Sequence, residues 1–355
     1  MKIAVVHNLP PGGQKRALDY QIKLLSRNHK IDLYTPSDFG YKYPLHFPKS
    51  VASIYFFLPQ VYRQMAEKID NGKYNVVYVQ PCFLTQSPYI LRYLQTPTVY
   101  YCPEPKREFY ETIPRKSNFW TYNVTLPFRY PIKYIDWKNT RCATRILTNS
   151  NYSRQRIKRI YKKDAYINYL GVDTDLFKPI NMNKENAVLS VGEMSLHKGY
   201  DFIIRSLSLI PENLRPKLII VGHGGSEKKY LVELAERNKV RLELKENVSD
   251  RDLANIYNKV LVFLSAPHKE PFGMVLLEAL ACGLSVVAVD EGGVGEIITN
   301  GRLGVLVRRN EEEFAREILK VRENSRMYRH EWVVKNWSWE ESVKELEKHL
   351  REVAG

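Results

Sequence analysis

Cysteine is scarce in this sequence, and its spacing is not typical of a metal site or a disulfide framework. Only four of the 355 residues are cysteines, and they stand at positions 82, 102, 142 and 282. No two are close in sequence, and no CxxC pair or Cys/His cluster occurs. Such usage fits a reducing compartment, so we expect a cytoplasmic protein without structural zinc or disulfides.

Long apolar runs are also missing. A helix that crosses a membrane needs roughly 18 consecutive apolar residues, and the longest candidate, residues 272–289, is interrupted by Glu278. The N-terminal segment MKIAVVHNLPPGG contains a short apolar run without the layout of a secretion signal. The sequence therefore predicts no membrane-spanning helix and no leader, and its beginning is typical of a first strand.

Acidic residues are sparse in one half of the chain only. Residues 1–180 contain 28 Lys+Arg and 12 Asp+Glu, a net charge of +16, whereas residues 181–355 carry −1. Solubility alone needs no such asymmetry, but a negatively charged partner would account for it. We therefore keep peripheral contact with an anionic membrane, on its cytoplasmic face, as a hypothesis. No recognised nucleic-acid motif occurs, so no nucleic-acid partner is expected.

Strand-like and helix-like segments alternate along the chain, which predicts an α/β fold with parallel sheets. Polar residues around 175–186 suggest a boundary there, and the last segment is a charged amphipathic helix. We expect an N-terminal domain over residues 1–175, a C-terminal domain over 176–337 and a closing helix over 338–355. The predicted strands cover residues 3–7, 31–35, 75–80, 98–102, 145–148, 165–169, 187–192, 217–222, 241–244, 261–265, 285–290 and 304–308.

Two serines predict where helices begin, and one segment resists assignment. Ser150 and Ser249 are each typical of a helix N-cap, and the helix after Ser150 is strongly basic. Residues 103–137 are rich in aromatic, proline and basic residues and show no clean period. We expect this segment to be a long irregular excursion with short helices, of a kind that is often functional. With the basic helix nearby, it could lie on an anionic bilayer.

Two glutamates around an apolar helix carry the sharpest chemical signal. Seven residues separate Glu270 from Glu278 in the segment HKEPFGMVLLEALACG. The Pro-Phe-Gly turn places Glu270 in a loop before the helix and Glu278 inside it, so the N–H groups near Gly273, Met274 and Val275 could bind an anion. A carboxylate can accept hydrogen bonds from a vicinal diol such as that of ribose. A solvated Glu278 fits poorly, because a glutamate in such apolar company needs a partner.

These residues resemble the retaining glycosyltransferases of the GT-B fold, family 4, which are also called glycosyl transferases group 1. The hallmark is the pair of glutamates followed by glycine-rich segments, and further matches in the same order extend over nearly the whole chain. The matching residues are Asn149–Ser150, Arg154, Gly171–Val172–Asp173, Phe177, Pro179, Val221–Gly222–His223–Gly224, Glu270–Pro271–Phe272–Gly273, Glu278–Ala279, Ala281–Cys282–Gly283, Gly292–Gly293, Glu296 and Trp337–Ser338–Trp339.

The resemblance implies two Rossmann-like domains that face each other across a cleft, with the closing helix packed back on the first. It implies a retaining transferase that moves a hexose from a UDP- or GDP-sugar to a glycan, glycolipid or lipid-linked acceptor. The family context is cell-surface polysaccharide or glycoconjugate biosynthesis. No resident metal or other cofactor is expected, because lysine and helix dipoles take the place of a cation and no DxD pair at a strand end suggests a cation site.

The resemblance also implies roles for individual residues. Lys198 would neutralise the leaving diphosphate, Glu270 would position the sugar, and Glu278 would bind the ribose. The turn of Gly12 and Gly13 would lie beside the donor phosphates and the acceptor, where the helix that follows points its positive end. Gly222 would stand at a strand end of the donor-binding domain.

Two departures from the family pattern leave questions open. Glu193 stands where the family usually has an arginine, and His197 or Arg251 are candidates to replace that cation. Pro103 stands where the family often has a histidine near the reacting sugar. Glu104 follows it, and either contacts a sugar as a catalytic residue or merely pairs with a neighbouring cation.

Three alternatives to transfer therefore remain. A nucleotide-sugar-binding protein without catalysis would account for Glu193 and Pro103. An epimerase or a glycan phosphorylase shares this fold, although no lysine for pyridoxal phosphate is identified. A protein directed at nucleic acid would account for the basic half of the chain and would lose binding steeply with salt.

Overall fold

The chain folds as two α/β units, each built on a parallel sheet of its own. The computed structural model describes residues 1–42, 49–111, 119–225, 227–320 and 326–355. The first unit comprises the described part of residues 1–170 together with Trp339–Gly355, and the second comprises Gly171–Ser338.

The first unit contains a six-stranded sheet in the order β2-β1-β3-β4-β5-β6, and its neighbouring strands all pair in parallel. Its strands are β1 (Lys2–Asn8), β2 (Lys30–Tyr34), β3 (Val76–Cys82), β4 (Thr98–Tyr101), β5 (Arg145–Thr148) and β6 (Tyr166–Ile167). Its helices before residue 170 are α1 (Gly13–Leu25), α2 (Lys49–Ala52), α3 (Leu58–Asn71), α4 (Arg107–Tyr110), α5 (Phe119–Cys142) and α6 (Asn151–Tyr161), with a π-helical turn at Ser53–Phe57 and 3₁₀ turns at Pro36–Phe39 and Tyr89–Arg92.

Helices cover both faces of this sheet, as parallel strands require. Because side chains alternate along a strand, Val77 and Val79 join the core formed with α3, α5 and α6. Tyr78 points the other way, where its hydroxyl donates to Gln21 of α1 at 2.9 Å.

The second unit contains a six-stranded parallel sheet in the order β12-β11-β10-β7-β8-β9. Its strands are β7 (Ala187–Val191), β8 (Lys217–Val221), β9 (Leu242–Lys245), β10 (Val262–Ser265), β11 (Ser285–Val289) and β12 (Gly304–Val307). Its helices are α7 (Tyr200–Ser208), α8 (Lys228–Arg237), α9 (Asp250–Lys259), α10 (Met274–Ala281), α11 (Glu311–Lys320) and α12 (Arg326–Asn336), with 3₁₀ turns at Leu196–Lys198 and Val294–Glu296.

The last helix, α13 (Trp339–Ala354), belongs to the first unit although it follows the second in sequence. It packs against α1, β3 and β4, and Trp339 stacks on Tyr20 with ring centroids 5.2 Å apart. Asn168 donates to the carbonyl of Ser342 at 2.8 Å. The apolar side of α13 therefore completes the core of the first unit.

The expectation of an irregular excursion over residues 103–137 is wrong for much of that segment. The short helix α4 is present, but α5 is a continuous 24-residue helix that contains Pro127 and Pro131. Both prolines lie on the exposed side of α5, while Ile132 and Ile135 are buried. Packing of the inner face thus outweighs the backbone hydrogen bonds that the prolines remove. Residues 112–118 lie outside the described residues.

Within the parts of the chain that the structure describes, no helix is both long and apolar enough to span a bilayer.

Candidate functional site

The second sheet reverses its direction of growth between β7 and β10. These strands are neighbours, yet the chain builds β8 and β9 on one side before it returns to add β10 on the other. Such a reversal leaves a crevice at the carboxyl ends of the two strands, where open α/β sheets bind ligands. A small cavity lies there, lined by Ser190, Val191, Lys198, Tyr200, Ser265, Ala266, Pro267, Glu270, Gly273 and Val275.

An ammonium group and a carboxylate meet at this cavity. Nζ of Lys198 lies 2.9 Å from Oε2 of Glu270, and the two side chains are 24% and 18% exposed. Lys198 ends the 3₁₀ turn after β7, and Glu270 lies in the loop after β10. Two predicted site residues that are 72 positions apart in sequence are thereby brought into direct contact. The crevice presents a cation for anionic groups and an acceptor for hydroxyl groups.

The loop after β11 holds the backbone of Glu270 in place. Gly293 donates its N–H to the carbonyl of Glu270 at 2.7 Å, and Gly292 forms a parallel bridge with Glu270. Gly292 has a φ of 85°, and a Cβ on it would lie 2.1 Å from the same carbonyl oxygen. Only glycine meets both conditions, so the glycine pair of the motif serves the placement of Glu270.

Glu278 is buried, with 2% of its surface exposed, and lies in α10. The hydroxyl of Tyr257, on α9, donates to its Oε2 at 3.0 Å. That hydroxyl also lies 3.3 Å from the carbonyl of Val275. The partner that an apolar setting demands is thus present. Glu278 sits one helical turn beyond the cavity-lining Val275 and does not itself line the cavity.

The predicted backbone donors lie at the start of α10. Gly273 is its N-cap with a φ of 100°, followed by Met274 and Val275 as the first helical residues. The first N–H groups of a helix have no partner within it and carry partial positive charge. Gly222 follows β8, and a Cβ there would lie 2.0 Å from the carbonyl oxygen of Gly192. Its small size therefore already serves the packing of two loops.

The first sheet has a reversal of its own, between β1 and β3. Asn8 ends β1, and its carbonyl accepts from the N–H of Phe83, just past the end of β3, at 3.1 Å. Gly12 and Gly13 follow on the β1 side and begin α1, and a Cβ on Gly12 would meet nothing within 4 Å. The predicted glycine turn therefore borders open space at the carboxyl edge of the first sheet.

Glu104 lies in the first unit, just after β4. Its Oε2 is 3.4 Å from Nε of Arg107, and its backbone carbonyl accepts from the side chain of Gln86 at 2.8 Å. Arg107 pairs in turn with Glu111, which also pairs with Arg156. Pairing with a neighbouring cation thus occurs, and the predicted catalytic role of Glu104 stays a prediction.

Three residues of the second unit concern the arginine that the family pattern has and this chain lacks: Glu193 stands in its place, and His197 and Arg251 are the candidate replacements. Glu193 is exposed, Arg251 is exposed at the start of α9, and Nε2 of His197 lies 3.3 Å from Oγ of Ser195. The backbone N–H of His268 donates to the carbonyl of His197 at 2.7 Å. His197 thereby adjoins the loop of Glu270, whereas Arg251 is not among the residues that line the cavity.

Two residues of this site were not predicted from the sequence. Tyr257 holds Glu278, and Arg309, after β12, donates to the carbonyls of Ala266 and Pro267 at 3.0 Å each. Tyr257 carries no local motif. Arg309 stands in a basic, polar stretch that is typical of a surface loop. The sequence alone therefore gives no indication of either residue's role at the site.

Across the described residues, no cluster of three or more His, Cys, Asp or Glu side chains could hold a metal ion.

Comparison with known sequences supports a family assignment for the second unit. Residues 172–338 match the family model described as Glycosyl transferases group 1. An uncharacterized glycosyltransferase of Methanocaldococcus jannaschii is 28% identical over 64% of this chain and 63% of its own length. A probable sucrose-phosphate synthase of Thermosipho melanesiensis is 28% identical over 49% of this chain and 44% of its own length. The matches thus span less than two thirds of these curated relatives.

Solved structures extend the likeness to the whole fold. A sucrose-phosphate synthase from Thermosynechococcus elongatus has a TM-score of 0.78 at 17% identity, covering 99% of this chain and 98% of its own. HepE of Anabaena, solved in complex with UDP and glucose, has a TM-score of 0.75 at 16% identity, covering 99% and 100%. WaaG, from lipopolysaccharide biosynthesis, has a TM-score of 0.71 at 18% identity, covering 99% and 100%. The two α/β units are those of the GT-B fold.

Proposed function

Because residues 172–338 match the family model described as Glycosyl transferases group 1, we propose that this chain is a glycosyltransferase that uses a nucleotide-diphosphate sugar. The sugar is a hexose, and the anomeric configuration is retained. The acceptor is a glycan, glycolipid or lipid-linked sugar, as in cell-surface polysaccharide or glycoconjugate biosynthesis. The cytoplasmic location expected from cysteine usage remains part of this proposal.

The observation that carries the proposal is the Lys198–Glu270 pair in the crevice between β7 and β10. A nucleotide sugar presents a diphosphate next to a hydroxyl-rich ring, and the pair presents a cation next to a carboxylate. The two polar demands of the donor are therefore met within a few ångströms. A pair that is only partly buried costs little to separate, so each member can turn to a ligand group.

The chemistry assigned to these residues is stabilisation of a leaving group. As the bond between the anomeric carbon and the diphosphate oxygen breaks, negative charge grows on the diphosphate. Lys198 and the first N–H groups of α10 stabilise that charge. The stabilisation is greatest in the transition state, because the negative charge develops there. Glu270 accepts hydrogen bonds from the sugar hydroxyls, and Glu278 those of the ribose. Lys198 and the N–H groups of α10 thus supply the positive charge, and the proposal needs no resident metal.

Retention follows if the acceptor attacks from the face that the diphosphate leaves. The acceptor oxygen then forms its bond to the anomeric carbon, and its proton passes to the departing phosphate oxygen. This route needs no enzyme nucleophile. Glu270 is hydrogen-bonded to Lys198, which suits it to position the sugar rather than to attack it.

Donor identity is tested by incubating the protein with UDP-, GDP- and ADP-sugars and measuring release of nucleoside diphosphate with and without acceptors. UDP-glucose is the first donor to try, since HepE was solved with UDP and glucose. Release that depends on an acceptor supports transfer. Tight binding of a donor without turnover on any acceptor would instead indicate a binding protein, and a new free sugar an epimerase.

Lys198→Met tests the assigned site. Removing one group that stabilises transition-state charge typically costs 10²- to 10³-fold in kcat, and we expect a loss in that range. Lys217→Met is the matched control, because Lys217 also pairs with glutamates but begins β8, at the opposite edge of the sheet. Equal kcat for wild type and Lys198→Met would exclude the leaving-group role.

A second proposal concerns the partner of the basic half. Aromatic side chains stand exposed on the π-helical turn and on α5, including Phe56 at 67%, Phe57 at 60% and Tyr134 at 60%. The hydroxyl of Tyr55 donates to the carbonyl of Phe128 at 2.5 Å, so the two elements form one surface. Aromatic rings bordered by cations favour the interface of an anionic bilayer.

Lysines border the aromatic surface of α5. Lys133 lies 5.7 Å from the ring centre of Tyr130, and Lys138 lies 5.9 Å from that of Tyr134. The helix α6 packs beside α5 and exposes Arg154. Arg156 does not contribute, because it is buried against Glu111. Positive charge thus stands beside the exposed rings of α5, and α6 adds an exposed arginine.

Vesicle flotation distinguishes this partner from others. We expect binding to phosphatidylglycerol vesicles, less binding to phosphatidylcholine vesicles, and loss of binding in Phe56→Ser/Phe57→Ser. Leu33→Ser is the control, since Leu33 is 51% exposed on β2 of the same unit. No binding to anionic vesicles would refute the proposal, and salt-sensitive retention on duplex DNA alone would favour the nucleic-acid alternative.

A further inference from the structure

One guanidinium group ties together three loops at the candidate site. Arg309 lies between β12 and α11, and its Nη1 and Nη2 each donate at 3.0 Å, to the carbonyls of Ala266 and Pro267. Its Nε donates to Oε1 of Glu291 at 2.7 Å. The carbonyls belong to the loop after β10, and Glu291 to the loop after β11. The planar fork of arginine, with five donors, is suited to such a junction.

The surroundings of Arg309 hold its guanidinium in place. It lies 5.3 Å from the ring centre of Phe202 on α7, and its side chain is 22% exposed. Burial alone would raise the pKa of Glu291, but the hydrogen bond from Arg309 holds that pKa below its usual value. Glu291 is therefore a carboxylate at neutral pH, and its negative charge anchors the arginine.

The same carboxylate reaches the loop that carries Glu270. Oε2 of Glu291 accepts from the backbone N–H of Lys269 at 3.3 Å. Two residues after Glu291, Gly293 donates to the carbonyl of Glu270. The segment 266–270 is thus held at Ala266 and Pro267 by Arg309, at Lys269 by Glu291, and at Glu270 by Gly293. The N–H of His268 also donates to the carbonyl of His197 at 2.7 Å. Loss of Arg309 removes the contacts at Ala266 and Pro267 and the cation that anchors Glu291.

We propose that Arg309 is a positioning residue that fixes segment 266–270 and thereby places the carboxylate of Glu270 at the cavity, within reach of the donor sugar. The inference rests on the proposed function, because it concerns the placement of a residue assigned to the donor sugar. Arg309 is not itself among the residues that line the cavity, so it acts through the loop and not by contact with the donor.

A purely structural role for Arg309 predicts different behaviour. If Arg309 only stabilised the second unit, its loss would lower the melting temperature, while the folded fraction would retain its turnover number. If Arg309 positions Glu270, the folded variant turns over slowly. Its donor KM changes less, because the nucleotide end of the donor is assigned to other residues. The split between kcat and KM therefore separates the two roles.

The test compares Arg309→Ala with Arg308→Ala, a neighbouring and exposed arginine whose loss changes the net charge equally. Misplacement of a reacting group by about 1 Å can cost 10²-fold. We expect kcat to fall at least tenfold in Arg309→Ala, with donor KM within threefold of wild type and Arg308→Ala unchanged. Arg309→Lys recovers only part of the loss, because one ammonium cannot reach both carbonyls and Glu291 in the fork geometry. Millimolar guanidinium should raise the rate of Arg309→Ala alone.

Two further measurements secure the interpretation. Hydrogen–deuterium exchange should rise in residues 266–270 of folded Arg309→Ala and stay unchanged in Arg308→Ala. In a Glu270→Gln background, Arg309→Ala should reduce kcat by less than twofold, since the group that it positions is already impaired. Losses that multiply in the double variant, or equal kcat for Arg309→Ala and Arg308→Ala, would overturn the inference. Absence of turnover in wild type with every donor would instead refute the proposed function.

Discussion

The hydroxyl of Tyr257 offers a sharp test of how the buried carboxylate at the site is held. Tyr257 is fully buried, and its ring packs on Phe177 and Phe263 with centroids 5.9 and 5.7 Å away. Tyr257→Phe keeps that packing and removes only the oxygen that donates to Glu278 at 3.0 Å. The change therefore removes one hydroxyl, whose shorter hydrogen bond goes to a buried acid and whose longer contact, at 3.3 Å, is with the carbonyl of Val275.

The magnitude follows from the type of bond. A hydrogen bond to a charged group contributes about 1.5–3 kcal/mol, against about 1 kcal/mol for a neutral one. We expect Tyr257→Phe to lower the free energy of unfolding by about 2 kcal/mol. If the carboxylate of Glu278 also loses its orientation toward the ribose, the donor affinity falls about tenfold, which corresponds to about 1.4 kcal/mol.

The assays are urea denaturation and calorimetric titration with the donor or its nucleoside diphosphate. Tyr78→Phe is the control, because Tyr78 is equally buried but donates to the neutral side chain of Gln21 in the first unit. It should cost about 1 kcal/mol and leave the donor affinity unchanged. If Tyr257→Phe weakened donor binding no more than Tyr78→Phe, the assignment of Glu278 to the ribose would be refuted.

Two further changes test the first sheet and the glycine pair. Asp136 is fully buried, and burial raises its pKa to about 6 although the hydroxyls of Tyr161 and Ser87 donate to it. A raised folded pKa means that stability is complete below an unfolded pKa of about 3.8 and is lost as pH rises through 6, by about 3 kcal/mol. Urea denaturation at pH 5 and 7.5 should therefore show a smaller loss in Asp136→Asn than in wild type, and equal losses would contradict the sign. Gly292→Ala, whose Cβ would clash with the carbonyl of Glu270, should cost about 1–3 kcal/mol and reduce turnover; full activity in a nucleoside diphosphate release assay would show that the loop tolerates displacement.

Local chemistry made much of the fold predictable. Apolar runs between turn residues predicted strands that the structure confirms, and β5 has the predicted bounds. Ser150 and Ser249 cap their helices as expected, accepting from the N–H groups of Ser153 and Asp252. These features depend on residues within a few positions of one another, so the sequence alone contains the information.

Features that depend on distant packing were not predictable in the same way. The prolines of α5 read as helix breakers, because nothing local reveals that the opposite face is anchored in a core. Lys198 and Glu270 were each predicted, but their contact arises from the adjacency of β7 and β10, which the order of strands along the chain conceals. Arg309 contacts residues of two other loops, after β10 and after β11. The residues next to it in sequence do not indicate these partners.

The return of α13 to the first unit has a consequence for biosynthesis. Leu346 and Leu350 of this helix are completely buried, and they lie beyond all of Gly171–Ser338 in the chain. A ribosome must therefore translate the entire second unit before the first can close its core. During that interval α1 lacks the helix that covers it, so nascent chains stalled before Trp339 should engage chaperones through the exposed side of α1.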